Sequence, residues 1–225
     1  MDQDDGWHVV ERDDGRVDPM DAAVYFREPA DWPEGEPRIL DHIQGRVLDI
    51  GAGAGRYAIE LQHRGHEVVA LDVSAGSIAV CQRRGVENVF TGTIDDFDDD
   101  DGFDTLVFGG NNLGLLANRP TASRLLDRLT ALARPDALIV GTCRDPYDTD
   151  DPENLEYHEF NRSRGRQAGQ IQLRVRYHRL ATPWFDYWFM SRSELQSVTE
   201  PHGWSLSHYE SLAFGSYLAV LDAPV

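Results

Sequence analysis

The chain has 225 residues, 41% of them hydrophobic and 27% charged, which suits one domain with a core of its own. Its 39 acidic residues against 21 basic ones, every one an Arg, give a formal net charge of -18; such a surface disfavours a nucleic-acid partner and suits a halophilic protein kept soluble at high salt. No apolar run reaches the ~18 residues of a membrane span, and the acidic start, MDQDDGWHVV, lacks a signal-peptide layout, so no membrane partner and a cytoplasmic location are expected.

Residues 1–18 are Asp- and Gly-rich and read as a mobile or loose cover. Residues 21–28 read as a short helix carrying Tyr25 and Phe26, and the Pro-rich stretch 29–37 as a linker. Residues 1–37 are therefore expected to cover a domain spanning 38–222. Within it, 46–50 is a first strand and 54–64 its helix, stopped by Gly65. Residues 67–71 are a second strand, and Ser74 caps a helix running to Arg84. Strands follow at 88–91 and 103–108. A helix over 121–133 carries Leu125, Leu126, Leu129 and Leu132 on one face, and a fifth strand spans 137–142. This alternation predicts an α/β fold: a mostly parallel sheet, helices on both faces, and a ligand cleft at the carboxyl ends of the strands.

After Cys143 the style changes. Residues 145–170 are polar without a clear period, and 171–180 and 184–190 read as two strands. Together 143–190 read as an insertion on the substrate side. Ser191 and Glu194 have the spacing of a capping box at the start of a helix over 191–202. Residues 204–211 and 216–221 close the chain as an antiparallel hairpin. Cys81 and Cys143 match no metal or redox spacing and read as small buried residues; no metal is expected.

The chemistry centres on VLDIGAGAGRYAIEL, followed by VVALDVS. A dinucleotide fingerprint reads GxGxxG, whereas Gly51-Ala52-Gly53-Ala54-Gly55 reads GxGxG with Arg56 where the last glycine would fall. Such a turn carries backbone close past a ligand. Asp49 at the strand end can face a cationic amino group, and Asp72, 21 residues after Gly51, is placed for two ribose hydroxyls. From the residues alone, S-adenosylmethionine (SAM), a nicotinamide cofactor and a cofactor-free α/β domain all stay open.

The stretch from Asp49 to Gly55 resembles motif I of class I SAM-dependent methyltransferases, E/DxGxGxG, and LDVS resembles the acidic motif that follows it. The resemblance implies a Rossmann-like, seven-stranded, mostly parallel sheet with a C-terminal antiparallel hairpin and added strands after the fifth. It also implies methyl transfer from SAM, leaving S-adenosylhomocysteine. The implied cofactor residues are Tyr25, Asp49, Gly51, Ala52, Gly53, Gly55, Arg56, Asp72, Val73, Thr93, Ile94, Asp95 and Gly109. Thr93 stands where the family often has an acid for the adenine amino group; Ile94 can supply a backbone N–H, and Asp95 is the alternative acid. Tyr25 and Trp32 correspond to a lid.

Two further segments resemble the glycine N-methyltransferase group: Gly110-Asn111-Asn112 after the fourth strand, and Cys143-Arg144-Asp145-Pro146-Tyr147-Asp148 after the fifth. Carried over, Arg144 pairs with a substrate carboxylate and Asn111 orients the acceptor. The alternatives are that Asn111 and Asn112 turn the chain into a helix, and that Arg144 pairs with Asp145 or Asp148. The aromatics of 177–188 either wall an acceptor pocket or belong to the core, and His158 and His178 are the candidate bases for a hydroxyl acceptor. The expected function is methylation of a small molecule, in its sharper form at the nitrogen of an amino acid or amine. The alternatives are an RNA or protein methyltransferase, drawing on the run of arginines from Arg162 to Arg179, and a non-catalytic SAM-binding protein. A homodimer through the added strands is a further expectation.

Overall fold

In the computed structural model, residues 6–224 are described. The first five lie outside that range and with them the start of the expected cover. Residues 6–21 are not loose: they form a hairpin of β1 (Trp7–Arg12) and β2 (Val17–Asp21). Their acidic composition conceals a partner far along the chain. Glu11 of β1 accepts two bonds from Arg174, at 2.8 and 2.9 Å, and one from Arg176 at 3.2 Å. Asp21 then caps a 3₁₀ turn, Ala22–Phe26, through the Ala23 amide, and two more, Pro29–Asp31 and Glu36–His42, begin within the Pro-rich stretch.

The central layer is built as the apolar runs foretell. Four-residue β3 (Val47–Ile50) is buried on both faces. After it come α1 (Arg56–His63), β4 (Val68–Asp72), α2 (Ala75–Arg83), β5 (Asn88–Thr91), β6 (Phe103–Phe108), α3 (Arg119–Leu132) and β7 (Ala133–Arg144). Ser74 caps α2 by accepting from the Ser77 amide at 3.2 Å. On α3, Leu126, Leu129 and Leu132 are buried against the sheet, each contributing about 1.5–3 kcal/mol.

The stretch 145–170 holds a helix that its composition hides, α4 (Pro152–Ser163), capped by Asp151. The chain continues through β8 (Gln170–Tyr177), short β9 (Leu180–Ala181), β10 (Phe185–Trp188) and α5 (Arg192–Thr199), and ends in β11 (Ser205–Ser211) and β12 (Ser216–Asp222). Ser191 and Glu194 form the expected capping box on α5.

The seven-stranded sheet has the order β11-β12-β7-β6-β3-β4-β5. Strands β5 to β7 run parallel through β4, β3 and β6, while β12 is antiparallel to both its neighbours. The order reverses at β3, so the carboxyl ends of β3 and β6 open a cleft between their connections. The added strands do not extend this sheet. β8, β9 and β10 join β1 and β2 in a second, antiparallel sheet of order β10-β8-β1-β2, with β9 on β8. Tyr187 on β10 and Ile171 on β8 pack with Tyr157 of α4 and touch Leu115 beyond β6, which docks the second sheet beside the cleft. No helix among the described residues is long and apolar enough to cross a membrane.

Candidate active site

A cavity of about 430 Å³ opens at the carboxyl ends of β3, β6 and β7, beneath the segment that follows β2. Its floor is the glycine turn after β3. The amides of Gly51 and Ala52 donate to the Leu71 carbonyl at 2.8 and 3.0 Å, tying the turn to β4. The Asn112 side-chain amide donates to the carbonyls of Ile50 and Gly51 at 3.1 and 2.9 Å, tying it to the loop after β6. A Cβ on Gly51 would sit 2.7 Å from that amide nitrogen, in a backbone conformation of φ +71° that side chains rarely adopt. Space in front of Gly53 is open: a Cβ there would meet nothing within 4 Å.

Two acids flank this turn in different surroundings. Asp72 is partly exposed; its two oxygens accept from the Gly53 and Ser74 amides, each at 2.8 Å, and each keeps a lone pair. Asp49 is 1% exposed, and its Oδ2 has no hydrogen-bond partner. Burial, reinforced by the neighbouring Asp72 charge, pushes the Asp49 carboxyl up to about 7. A buried acceptor with nothing to accept from is costly unless a ligand supplies the partner.

A third acid, Glu36, enters from the Pro-rich segment and is also buried. It accepts from Arg56 at 2.5 Å and from the Tyr57 hydroxyl, which in turn accepts from the Gly110 amide at 3.1 Å. Trp32 packs on Tyr57 with ring centroids 4.5 Å apart, and the Arg56 guanidinium lies over both rings. This network joins the amino-terminal segment, α1 and the loop after β6 at the cavity wall. Glu36 and Tyr57 escaped the sequence reading. Glu36 is hidden in a Pro/Glu-rich stretch with no motif, and Tyr57 reads as an ordinary apolar position of α1.

The far wall comes from β7 and the β11–β12 turn. The Asn111 amide donates to the Thr142 hydroxyl at 2.8 Å, and Asn111 itself turns the chain into a 3₁₀ segment with φ 71°. Arg144 ends β7 and donates from Nε to the Phe214 carbonyl at 3.1 Å. It makes no ion pair with Asp145 or Asp148. Tyr25, Met20 and Val24 line the cavity from the amino-terminal side, with the Tyr25 hydroxyl 3.2 Å from His8 Nε2.

The cavity thus gathers Tyr25, Asp49, Gly51, Ala52, Gly53, Arg56, Gly109, Asn111 and Arg144. The other expected residues do not line it, Asp72 at the end of β4 among them. Gly55 begins α1, its φ of 76° leaving a Cβ only 3.0 Å from Cys81 and Val86. Val73, 69% exposed, follows Asp72 on the surface. The Thr93 hydroxyl donates to Asp96 at 2.6 Å, Ile94 is buried in the core, and Asp95 pairs with Arg124 on α3. Trp32 lies beneath the cover rather than on the cavity surface, its Nε1 donating to the Arg27 carbonyl at 2.9 Å. Tyr187 and Trp188 are buried core, and Arg174 stacks over the half-exposed Trp184; neither these rings nor His158 and His178 line the cavity. Both cysteines are buried.

The donor set fits SAM. The unpartnered oxygen of Asp49 can face a cationic group, the free lone pairs of Asp72 at the end of β4 can take hydroxyl donors, and the space before Gly53 is open.

Comparison with known proteins agrees. Residues 47–136 match a family model described as a methyltransferase domain. A SAM-dependent methyltransferase from Bacteroides fragilis, solved with S-adenosylhomocysteine, is 25% identical with a TM-score of 0.84, covering 100% of this chain and 90% of that one. A 1,6-didemethyltoxoflavin-N1-methyltransferase from Burkholderia thailandensis is 18% identical with a TM-score of 0.57, covering 84% of this chain and 75% of that one. A tRNA (uracil(54)-C(5))-methyltransferase from Pyrococcus horikoshii is 28% identical over 125 residues, 53% of this chain; the chain spans only 29% of that relative's length. The strand order reversing at β3, the glycine turn with its two acids and these likenesses agree: residues 47–136 form a methyltransferase domain, and the chain has the fold of class I SAM-dependent methyltransferases.

Proposed function

We propose that this enzyme binds SAM in the cavity and transfers its methyl group to the nitrogen of a small amine that carries a carboxylate. The observation that supports the acceptor class is Arg144. Arginines elsewhere in this acidic chain are widely neutralised, as in Arg16–Asp151, Arg46–Asp99 and Arg174–Glu11. Arg144 has no carboxylate partner among the described residues, lines the cavity, and is steadied only through Nε. Its two terminal nitrogens are left for a planar anion, the geometry in which a guanidinium binds most strongly.

When bound, the cofactor supplies an electrophilic methyl group. The chain's part is placement. Arg144 takes the acceptor carboxylate, the Asn111 side chain orients the amine, and Gly109 and Gly110 let the backbone pass close to both. Such positioning supplies most of the rate in an in-line displacement. A neutral amine attacks with its own lone pair, so no general base is required at that step. That agrees with the absence of His158 and His178 from the cavity lining.

A nucleic-acid acceptor has less support. Within the arginine run, Arg162 pairs with Glu159, Arg166 with Asp13, and Arg174 and Arg176 with Glu11, so their charge is already met. The test is Arg144→Ala: it raises the acceptor KM roughly tenfold or more while SAM affinity stays within about twofold. Loss of SAM binding without an acceptor effect would remove Arg144 from this role.

A further inference from the structure

Phe214 is the most exposed large apolar side chain of the described residues, at 81%, yet it lines the cavity. Its backbone is left-handed, with φ 58° and ψ 37°, a conformation that bulky residues rarely hold and that glycine adopts freely. Burial of the ring does not offset that strain, since four-fifths of the residue is exposed. The ring has no aromatic or cationic partner among the described residues. The turn is held through its backbone groups and not through the ring: Leu212 N–H donates to Ser216 O at 2.7 Å, Asp145 N–H to Gly215 O at 2.8 Å, and Arg144 Nε to Phe214 O at 3.1 Å. Gly215 beside it, at φ 70°, shows that the turn accepts glycine. Strain kept without a structural return points to function. The same residue's carbonyl holds Arg144 Nε, so the ring and the guanidinium belong to one wall. Leu212 and Ala213 extend that wall, and Met20 and Val24 line the cavity from the amino-terminal side.

We propose that Phe214 is the wall against which the acceptor packs, and that the acceptor joins its carboxylate and amine to an apolar, ring-sized body, of which an aromatic amino acid is the simplest case. This rests on reading the cavity as the methyl-transfer site. In the reaction the nitrogen–carbon bond forms as the sulfur–methyl bond breaks. Sulfur keeps the electron pair as a neutral thioether, and the methylated amine releases one proton to solvent.

The probes are L-phenylalanine and glycine with methyl-labelled SAM, alongside calorimetry with S-adenosylhomocysteine. The expected result is a higher kcat/KM for L-phenylalanine. Phe214→Gly should raise the KM for L-phenylalanine roughly tenfold and leave the S-adenosylhomocysteine Kd within about twofold. The same variant should melt at an equal temperature or about 2–4 °C higher, because strain is removed and no buried contact is lost. Phe214→Tyr should keep the parent KM. A preference for glycine, turnover of neither amine despite S-adenosylhomocysteine binding, or a lowered melting temperature in Phe214→Gly would each overturn the proposal while leaving the cofactor site standing. Absence of S-adenosylhomocysteine binding would bring down both.

Discussion

The Tyr187 hydroxyl on β10 donates to the backbone carbonyl of Asn111 at 2.5 Å, so the second sheet holds the loop after β6 that lines the cavity. Gly114 makes the approach possible: a Cβ there would stand 2.0 Å from the tyrosine ring. Tyr187→Phe keeps the ring and removes the bond, leaving the Asn111 carbonyl without this donor. A loss of about 1–2 kcal/mol is expected in urea denaturation, with kcat falling more than SAM affinity. Gly114→Ala should be the harsher change, because two packed elements must separate. Equal stability of Tyr187→Phe and the parent would show that the bond does not pin the loop.

Asp49 gives the enzyme a pH dependence whose sign follows from its burial. Its folded-state value of about 7 lies above that of a carboxyl in an unfolded chain, about 4. Below about pH 4 the group is protonated in both states. Between about 4 and 7 only the unfolded chain ionises it, so its contribution to stability falls as pH rises and levels off above 7. Binding runs the other way: a cationic ligand favours the ionised carboxylate, so SAM affinity should rise between about pH 6 and 7.5. Asp49→Asn should flatten both profiles. Calorimetric titrations across this range decide it, and a parent profile as flat as that of the variant would remove Asp49 from cofactor binding.

Gly109 tests the buried network. A Cβ at this position would lie 2.2 Å from the Tyr57 ring, so Gly109→Ala must displace the ring that bridges Glu36 and the Gly110 amide. A tenfold or greater loss of SAM affinity is expected. Glu36→Gln should be milder, since the amide oxygen can still accept from Arg56 or Tyr57 while the charge beside Arg56 is lost. Unchanged binding in Gly109→Ala would mean that the network does not shape the site.

Residues that act through local chemistry were legible in the sequence. The run into Asp49, the glycine turn, the Ser74 cap and the Ser191–Glu194 box all depend on near neighbours, and the structure has each in place. What stayed hidden depends on distant partners. The strand of residues 7–12 is defined by β8, more than 150 residues away, and no local pattern announces that pairing. α4 buries only Tyr157, His158 and Asn161, too few apolar positions to show a helical period. Phe214 earns notice only through its dihedral angles, which composition cannot carry.

Transfer of the labelled methyl group of SAM to a pool of small metabolites, with the product weighed by mass spectrometry, tests the central claim most directly. The expected result is a methylated amine bearing a carboxylate, formed by the parent and strongly reduced in Arg144→Ala at low acceptor concentration. A methylated product without a carboxylate, or no product from enzyme that binds SAM, would contradict it.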